Sequence, residues 1–299
     1  MQNYLLYQAY GDIGHINECR FSLLKYLSVY NLNPPAHTAV TIYTDQPAKF
    51  EAFSSFFPLF DMRLVTKAEI DAWRGNHAFV HRVKIEIIKD FFSRYSGNLL
   101  YCDTDTYAIQ PLEPLFADIQ KGIAILHHYE GIIDKNTTPS LHKWDNFLRD
   151  KTFEYNGKEL KFFNDIKMWN AGVIGINEER KHIIEDVLAL TDVIYKQFRK
   201  HIAEQFAFSY CLQRNGEVAS ASDYLVHYWN LKEFRSLLSA FFKKNEEESI
   251  PNLIKLTHHL NTLEIQNQKE AFQRLSALKK WWLTLSGKSW SIRQYQHKI

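Results

Sequence analysis

A chain of 299 residues can bury a substantial core without disulfide or metal staples, and 45% hydrophobic with 23% charged residues is an ordinary balance for a globular protein. A net charge of +2 excludes a general nucleic-acid role, and no window approaches the roughly 18–20 uninterrupted apolar residues of a membrane span. The charge is uneven: five Lys or Arg and no acid follow from Lys279 onward, which leaves residues 1–278 with a net of −3. Cys19, Cys102 and Cys211 are odd in number and lack metal-ligand spacing, which fits a reducing, cytoplasmic setting. The start, Met1 to Tyr4, has no basic region ahead of an apolar stretch, so no secretory signal is expected. The 16 Tyr, 21 Phe and 7 Trp serve either a core or a sugar-handling cleft.

Tyr4 to Tyr10 reads as a buried first strand running into Gly11-Asp12-Ile13-Gly14, a turn where a nucleotide can lie. Apolar residues at helical spacing from Asn17 to Tyr30 predict a helix that Pro34-Pro35 ends. Thr38 to Thr44 is a second strand, stopping at Asp45. Lys49 to Phe57 is a helix, and Asp61 to Val65 a short third strand. This alternation predicts an α/β layer fold with a largely parallel sheet. A long helix is expected from about His77 to Tyr95, with Val80, Val83, Ile87, Ile88 and Phe91 along one stripe. Lys84 falls inside that stripe whereas Arg82 and Lys89 fall outside it; a lysine so placed either snorkels to water or meets an anion.

The helix leads into Leu99-Leu100-Tyr101-Cys102-Asp103-Thr104-Asp105-Thr106. On an extended strand Asp103 and Asp105 share a face, about 6–7 Å apart at Cα. An apolar run ending in two carboxylates suits a hard cation such as Mg²⁺, with a phosphorylated ligand completing its shell. The bland alternative is a strand end whose acids cap a turn. Ligands of open α/β sheets sit beyond the carboxyl ends of strands, which favours the site.

Gly122 to His128 reads as a further strand, followed by a weakly patterned polar region to about Phe163, a loop with short helix over a cleft. Trp169-Asn170-Ala171-Gly172-Val173-Ile174-Gly175-Ile176-Asn177 is a strand with two glycines that permit close backbone approach. Helices follow from Glu178 to about Lys200 and around Glu204-Gln205-Phe206, and Asp223 to Lys232 closes the α/β part. Beyond Glu233 the sequence turns Lys/Glu/Leu-rich and helical, giving a soft boundary near Arg235: a catalytic domain over 1–235 and a basic, aromatic helical extension over 236–299.

With these pieces in order, the chain resembles the GT-A nucleotide-sugar glycosyltransferases, within them the glycogenin-like and bacterial lipopolysaccharide galactosyltransferase-like group. The resemblance spans roughly Tyr4 to Lys232. It is carried by the apolar strand with Asp103-Thr104-Asp105, by Trp169-Asn170-Ala171-Gly172-Val173-Ile174-Gly175-Ile176, by Glu204-Gln205 at a helix start, and by His227 with Lys232. It implies a GT-A-type, mostly parallel central sheet flanked by helices. It implies Mn²⁺ or Mg²⁺ held by Asp103, Asp105 and His227, with Lys232 on the donor diphosphate. That lysine departs from the group's pattern, since His227-Tyr228-Trp229-Asn230-Leu231-Lys232 lacks the usual glycine and Pro-Trp. By the same resemblance Asp45 and the Tyr10 to Asp12 turn hold base and ribose, Arg82 or Lys84 reaches the phosphates, and Asn170, Glu204 and Gln205 face the acceptor or the reacting carbon.

The expected activity is transfer of a sugar, UDP-linked by the resemblance, to a glycan or lipid-linked acceptor. Two alternatives stand beside it. Asp-x-Asp after an apolar strand also opens haloacid-dehalogenase-type phosphatases, with Asp103 as nucleophile and Asp105 as acid/base, but there the motif closes the first strand and here three candidate strands precede it. The other is a non-catalytic nucleotide-sugar or membrane-surface binding protein. In the tail, Lys279-Lys280-Trp281-Trp282-Leu283 and Lys288-Ser289-Trp290 either dock peripherally on the inner face of a membrane or pack back on the domain. The donor sugar and the acceptor depend on a few pocket contacts from loops such as Glu130 to Asp165.

Overall fold

The computed structural model describes residues 1–134, 138–149, 151–155, 157–162 and 166–298, so Phe163 and Asp165 of the expected cleft loop lie outside the described residues. In chain order the elements are β1 (Asn3–Gln8), α1 (Ile13–Val29), β2 (Thr38–Thr44), β3 (Leu59–Leu64), α2 (Lys67–Trp73), α3 (Arg82–Arg94), β4 (Asn98–Cys102), β5 (Thr106–Ala108) and α4 (Glu113–Gln120). Then come β6 (Ala124–Leu126), β7 (Tyr129–Ile132), α5 (Pro139–Leu148), β8 (Thr152–Tyr155), β9 (Lys158–Lys161), β10 (Lys167–Trp169), β11 (Val173–Asn177), α6 (Ile183–Gln197) and α7 (Ala203–Arg214). The chain finishes with β12 (Val218–Ser220), β13 (Leu225–His227), α8 (Phe234–Lys244), α9 (Ile250–Thr257), α10 (Thr262–Gln273) and α11 (Ala277–Leu285).

Seven strands form the central sheet in the order β12-β6-β11-β4-β1-β2-β3. All neighbours run parallel except β11, which is antiparallel to both β4 and β6. The fold is therefore mixed α/β with a mostly parallel sheet between helical layers. Period-two alternation explains the layering. Leu5 and Tyr7 of β1, Val40 and Ile42 of β2, and Leu100 and Cys102 of β4 face the core under α1, α4, α8 and α9. Leu6, Tyr43, Leu99 and Tyr101 face the core under α3, α5, α6 and α7. Each large apolar side chain so buried contributes about 1.5–3 kcal/mol. Phe234, Leu237, Leu238, Phe241, Leu253 and Ile254 of the later helices belong to the same core as α1.

Several expectations are corrected. The stretch from Lys49 to Phe57 forms short 3-10 turns, Pro47–Lys49 and Glu51–Phe56, rather than one α-helix. The long helix from His77 begins only at Arg82: Ala78 takes a left-handed φ of 51°, and Val80 is exposed ahead of the helix rather than on its stripe. The strand from Trp169 to Asn177 is two strands, β10 on β7 and β11 in the main sheet, parted by Asn170-Ala171-Gly172. The tail divides. Trp290 packs back, its Nε1–H donating to the Tyr295 hydroxyl at 3.3 Å, whereas Trp281 and Trp282 are 60% and 62% exposed. Among the described residues no helix is long and apolar enough to cross a membrane. The three cysteines are free and buried.

Candidate metal centre

The carboxyl ends of β1, β2, β4 and β6 open on one edge of the sheet, and because β11 runs the other way its entry, Asn170 to Gly172, lies beside the exit of β4. β4 stops at Cys102, so Asp103-Thr104-Asp105 is a turn and not the extended strand end expected from the pattern. Thr106 closes it, donating through its backbone N–H (3.1 Å) and its hydroxyl (2.7 Å) to the Asp103 carbonyl. The Thr104 hydroxyl donates to Glu18 at 3.3 Å, a buried carboxylate that also accepts from Arg235 at 2.9 Å, and this pins the turn to α1. The Asp103 N–H donates to the Gly172 carbonyl at 2.8 Å, and the Tyr228 N–H to the Asp105 carbonyl at 3.0 Å.

β13 pairs with β5 so that His227 stands opposite Thr106, bringing the imidazole to the acidic turn. One ligand atom each from Asp103, Asp105 and His227 lies within 4.8 Å of the others. Two carboxylates and an imidazole are the donor chemistry of a hard or borderline divalent ion, so Mn²⁺ or Mg²⁺ fits this set. The His227 Nε2 lies 3.1 Å from Asp105 Oδ1, and Nδ1–H donates to Asn170 Oδ1 at 2.9 Å. Gly172 makes room for the ring: a Cβ there would lie 2.3 Å from His227 Cε1. Its counterpart Gly175 instead admits Ile119 and Ile125 of the core, so both close approaches are met by the chain's own side chains.

Lys84, on α3, is 3% exposed at its side chain and turns inward. Its ammonium donates to Asp103 Oδ2 and to the Ala171 carbonyl, both at 3.0 Å, and lies 3.5 Å from Glu204 Oε1. Burial alone would lower its pKa, but Asp103 and Glu204 outweigh burial and hold it above the usual lysine range. The same contest runs in the neighbouring pair: burial opposes both charges, yet each partner stabilises the other, so Asp105 is lowered and His227 raised. The Tyr101 hydroxyl donates to Asp103 Oδ1 at 2.7 Å, a contact for which the strand pattern carried no signal beyond alternation.

The other candidates fall in four places. Glu204 is buried, with Oε2 lacking any hydrogen-bond partner, and Gln205 beside it on the first turn of α7 donates to Glu130 at 2.8 Å. Asp45 and the Tyr10 to Asp12 turn form a separate group at the ends of β1 and β2. There the Gly11 N–H donates to both Asp45 oxygens at 3.1 Å, Asp12 caps α1 through the Gly14 N–H, and burial pushes Tyr10 up to about 12. Arg82 points away from the acidic turn, to Asp192 (2.8 Å), Glu86 (2.7 Å) and the Trp73 carbonyl (2.7 Å). Lys232 is exposed, five residues past His227.

No protein-family model matches this chain, and no curated protein matches it. Among solved structures it is similar to mouse xyloside xylosyltransferase 1, with a TM-score of 0.47 and 9% identity over 74% of this chain and 85% of that one. It is also similar to an active-site mutant of LgtC, with a TM-score of 0.43 and 14% identity over 73% of this chain and 72% of that one.

Proposed function

We propose that this chain is a metal-dependent glycosyltransferase that moves a sugar from a nucleoside-diphosphate donor, a UDP-sugar, to a glycan or lipid-linked acceptor. The observation that carries the reading is the convergence of Asp103, Asp105 and His227 within 4.8 Å at the carboxyl edge of a parallel sheet. Mn²⁺ or Mg²⁺ on these three residues would neutralise the charge that grows on a departing diphosphate.

The chain's own groups complete the task. Lys84 orients Asp103 and adds fixed positive charge beneath the site, where low exposure keeps it effective. Arg82, committed to Asp192, leaves the phosphate role among the α3 cations to Lys84. Lys232, free in solvent beyond β13, reaches the diphosphate from the open side. Asp45 and the Tyr10 to Asp12 turn receive base and ribose at the neighbouring strand ends, and Asn170, Glu204 and Gln205 line the side where the sugar and acceptor meet. On α11 the residues Leu278, Trp281, Trp282 and Leu285 share one face at 76%, 60%, 62% and 66% exposure, with Lys279 and Lys280 alongside. This face docks on an anionic membrane surface, where a lipid-linked acceptor is concentrated.

The test is calorimetric titration of UDP-sugars with and without Mn²⁺, on the native chain and on Asp105→Ala. Native binding that needs Mn²⁺ and vanishes in Asp105→Ala is the expected result. Undiminished donor binding by the variant, with the same Mn²⁺ dependence, refutes the metal assignment.

A further inference from the structure

We infer that Glu130 is a positioning residue for the metal ligand His227, acting through Asn170. The inference rests on the metal reading proposed above and assigns roles to a residue pair outside the ligand set.

β7 and β10 pair with a register shift: Met168 stands opposite Gly131, but Trp169 stands opposite Tyr129, so Glu130 is the bulged residue with no ladder partner of its own. Bulges beside sites re-aim a side chain, and this one turns Glu130 to two side-chain amides at once. Its Oε1 accepts from Asn170 Nδ2 at 3.2 Å, and its Oε2 accepts from Gln205 Nε2 at 2.8 Å. Asn170 is buried, and both ends of its amide are spoken for. Its Nδ2 faces a carboxylate, which only accepts, so the amide orientation is settled by chemistry: Oδ1 must point the other way. There it accepts the Gly172 N–H at 3.0 Å and the His227 Nδ1–H at 2.9 Å.

The consequence reaches the imidazole. With Oδ1 held toward it, Nδ1 is the nitrogen that keeps its proton, and Nε2, which faces Asp105, is the one that gives its lone pair to a cation. Turning the Asn170 amide over would present an N–H₂ to Nδ1 and reserve the metal-facing nitrogen for the proton. Glu130 opposes that turn, and Gln205 in turn holds Glu130. Gln205, Glu130, Asn170, His227 and Asp105 are thus one connected chain of hydrogen bonds, in which Glu130 accepts from the amides on both sides.

The test is a double-mutant cycle read in Mn²⁺ affinity, by calorimetry or by paramagnetic resonance of free Mn²⁺, with circular dichroism and melting confirming that each variant is folded. Asn170→Ala is expected to raise the Mn²⁺ Kd about 10–100-fold, and Glu130→Ala about 10-fold. In the Asn170→Ala background Glu130→Ala should change nothing further, because its effect passes through the amide. Glu130→Gln, which can accept from only one of the two amides, should fall between the native chain and Glu130→Ala. An Asn170→Ala variant with native Mn²⁺ affinity, or a Glu130→Ala effect that adds in full to Asn170→Ala, overturns the inference while leaving the metal site standing. Failure of the native chain itself to bind Mn²⁺ overturns the metal reading, and the inference with it. If Asn170→Ala does not fold, Asn170→Asp serves in its place: it keeps the acceptor for His227 but sets a carboxylate against Glu130, and native affinity in that variant likewise counts against the role of Glu130.

Discussion

Gly172→Ala is the sharpest single perturbation of the site, because it adds one methyl group and removes nothing. Its Cβ would fall 2.3 Å from His227 Cε1 and 2.4 Å from Nδ1, against ordinary contact from 3.4 Å, so the ring or the β11 entry must retreat by about 1 Å. Gly172 does not occupy the left-handed backbone region, so the alanine itself is not strained. A retreat of that size takes the His227 bonds to Asn170 (2.9 Å) and Asp105 (3.1 Å) past hydrogen-bond length. Overpacking costs about 1–3 kcal/mol, and the charged hydrogen bond to Asp105 about as much again, so we expect the metal-free variant to lose about 2–6 kcal/mol in urea titration. Its Mn²⁺ Kd should rise about 100-fold, equivalent to about 2.7 kcal/mol. Gly175→Ala is the matched control: its Cβ meets Ile119 and Ile125 at 2.7 Å in the core, so it should destabilise the fold and leave Mn²⁺ affinity alone. A Gly172→Ala chain with a native urea midpoint and a Kd within threefold of native refutes the account of how His227 is seated.

Lys84→Met should cost about 3–5 kcal/mol of stability, since it leaves half-buried Asp103 and buried Glu204 without their shared cation; a native urea midpoint would show that the two carboxylates are not sustained by the ammonium. The double substitution Trp281→Ser with Trp282→Ser should weaken binding to vesicles containing anionic lipid by at least about tenfold without moving the melting temperature, because these rings lie on an exposed face and each nearby cation adds only about 1 kcal/mol of attraction. Equal vesicle binding by the native and doubly substituted chains would remove the membrane from the proposal.

The layer architecture was legible because strand and helix alternate with clear periodicity, and the bounds of β2 coincide with the apolar run Thr38–Thr44. The place of Lys84 within an apolar stripe was legible for the same reason, but periodicity left two outcomes, a tip snorkelling to water or one meeting an anion, and the contacts with Asp103 and the Ala171 carbonyl decide for the second. What local pattern could not convey was pairing. Nothing in Val173 to Asn177 says that this strand enters between β4 and β6 in the opposite sense, because sheet order depends on contacts far apart in sequence. The turn at Asp103-Thr104-Asp105 was missed because threonine suits a strand as readily as a turn, and here its hydroxyls settle the matter by bonding to Glu18 and to the Asp103 carbonyl. Glu130 carried no motif at all; only the bulge reveals it. The tail tryptophans shared one composition but split in fate, because Trp290 finds Tyr295 and Trp281 and Trp282 find nothing comparable.

The short ladder between β5 and β13 also sets the order of events during synthesis. His227 and Asp105 are 122 residues apart, so the acidic turn leaves the ribosome long before the imidazole that answers it. At about 5–20 residues per second the interval is several seconds to tens of seconds, during which two neighbouring carboxylates wait with only Lys84 to offset them. Closing so long a loop adds little entropic cost beyond that of a shorter one, but contacts of this separation are among the slowest to form. A cation that binds only the closed arrangement would draw the late segment into place by mass action. Metal supply would then govern the yield of folded chain as well as its activity, and growth in metal-depleted medium would lower the first before the second could be assayed.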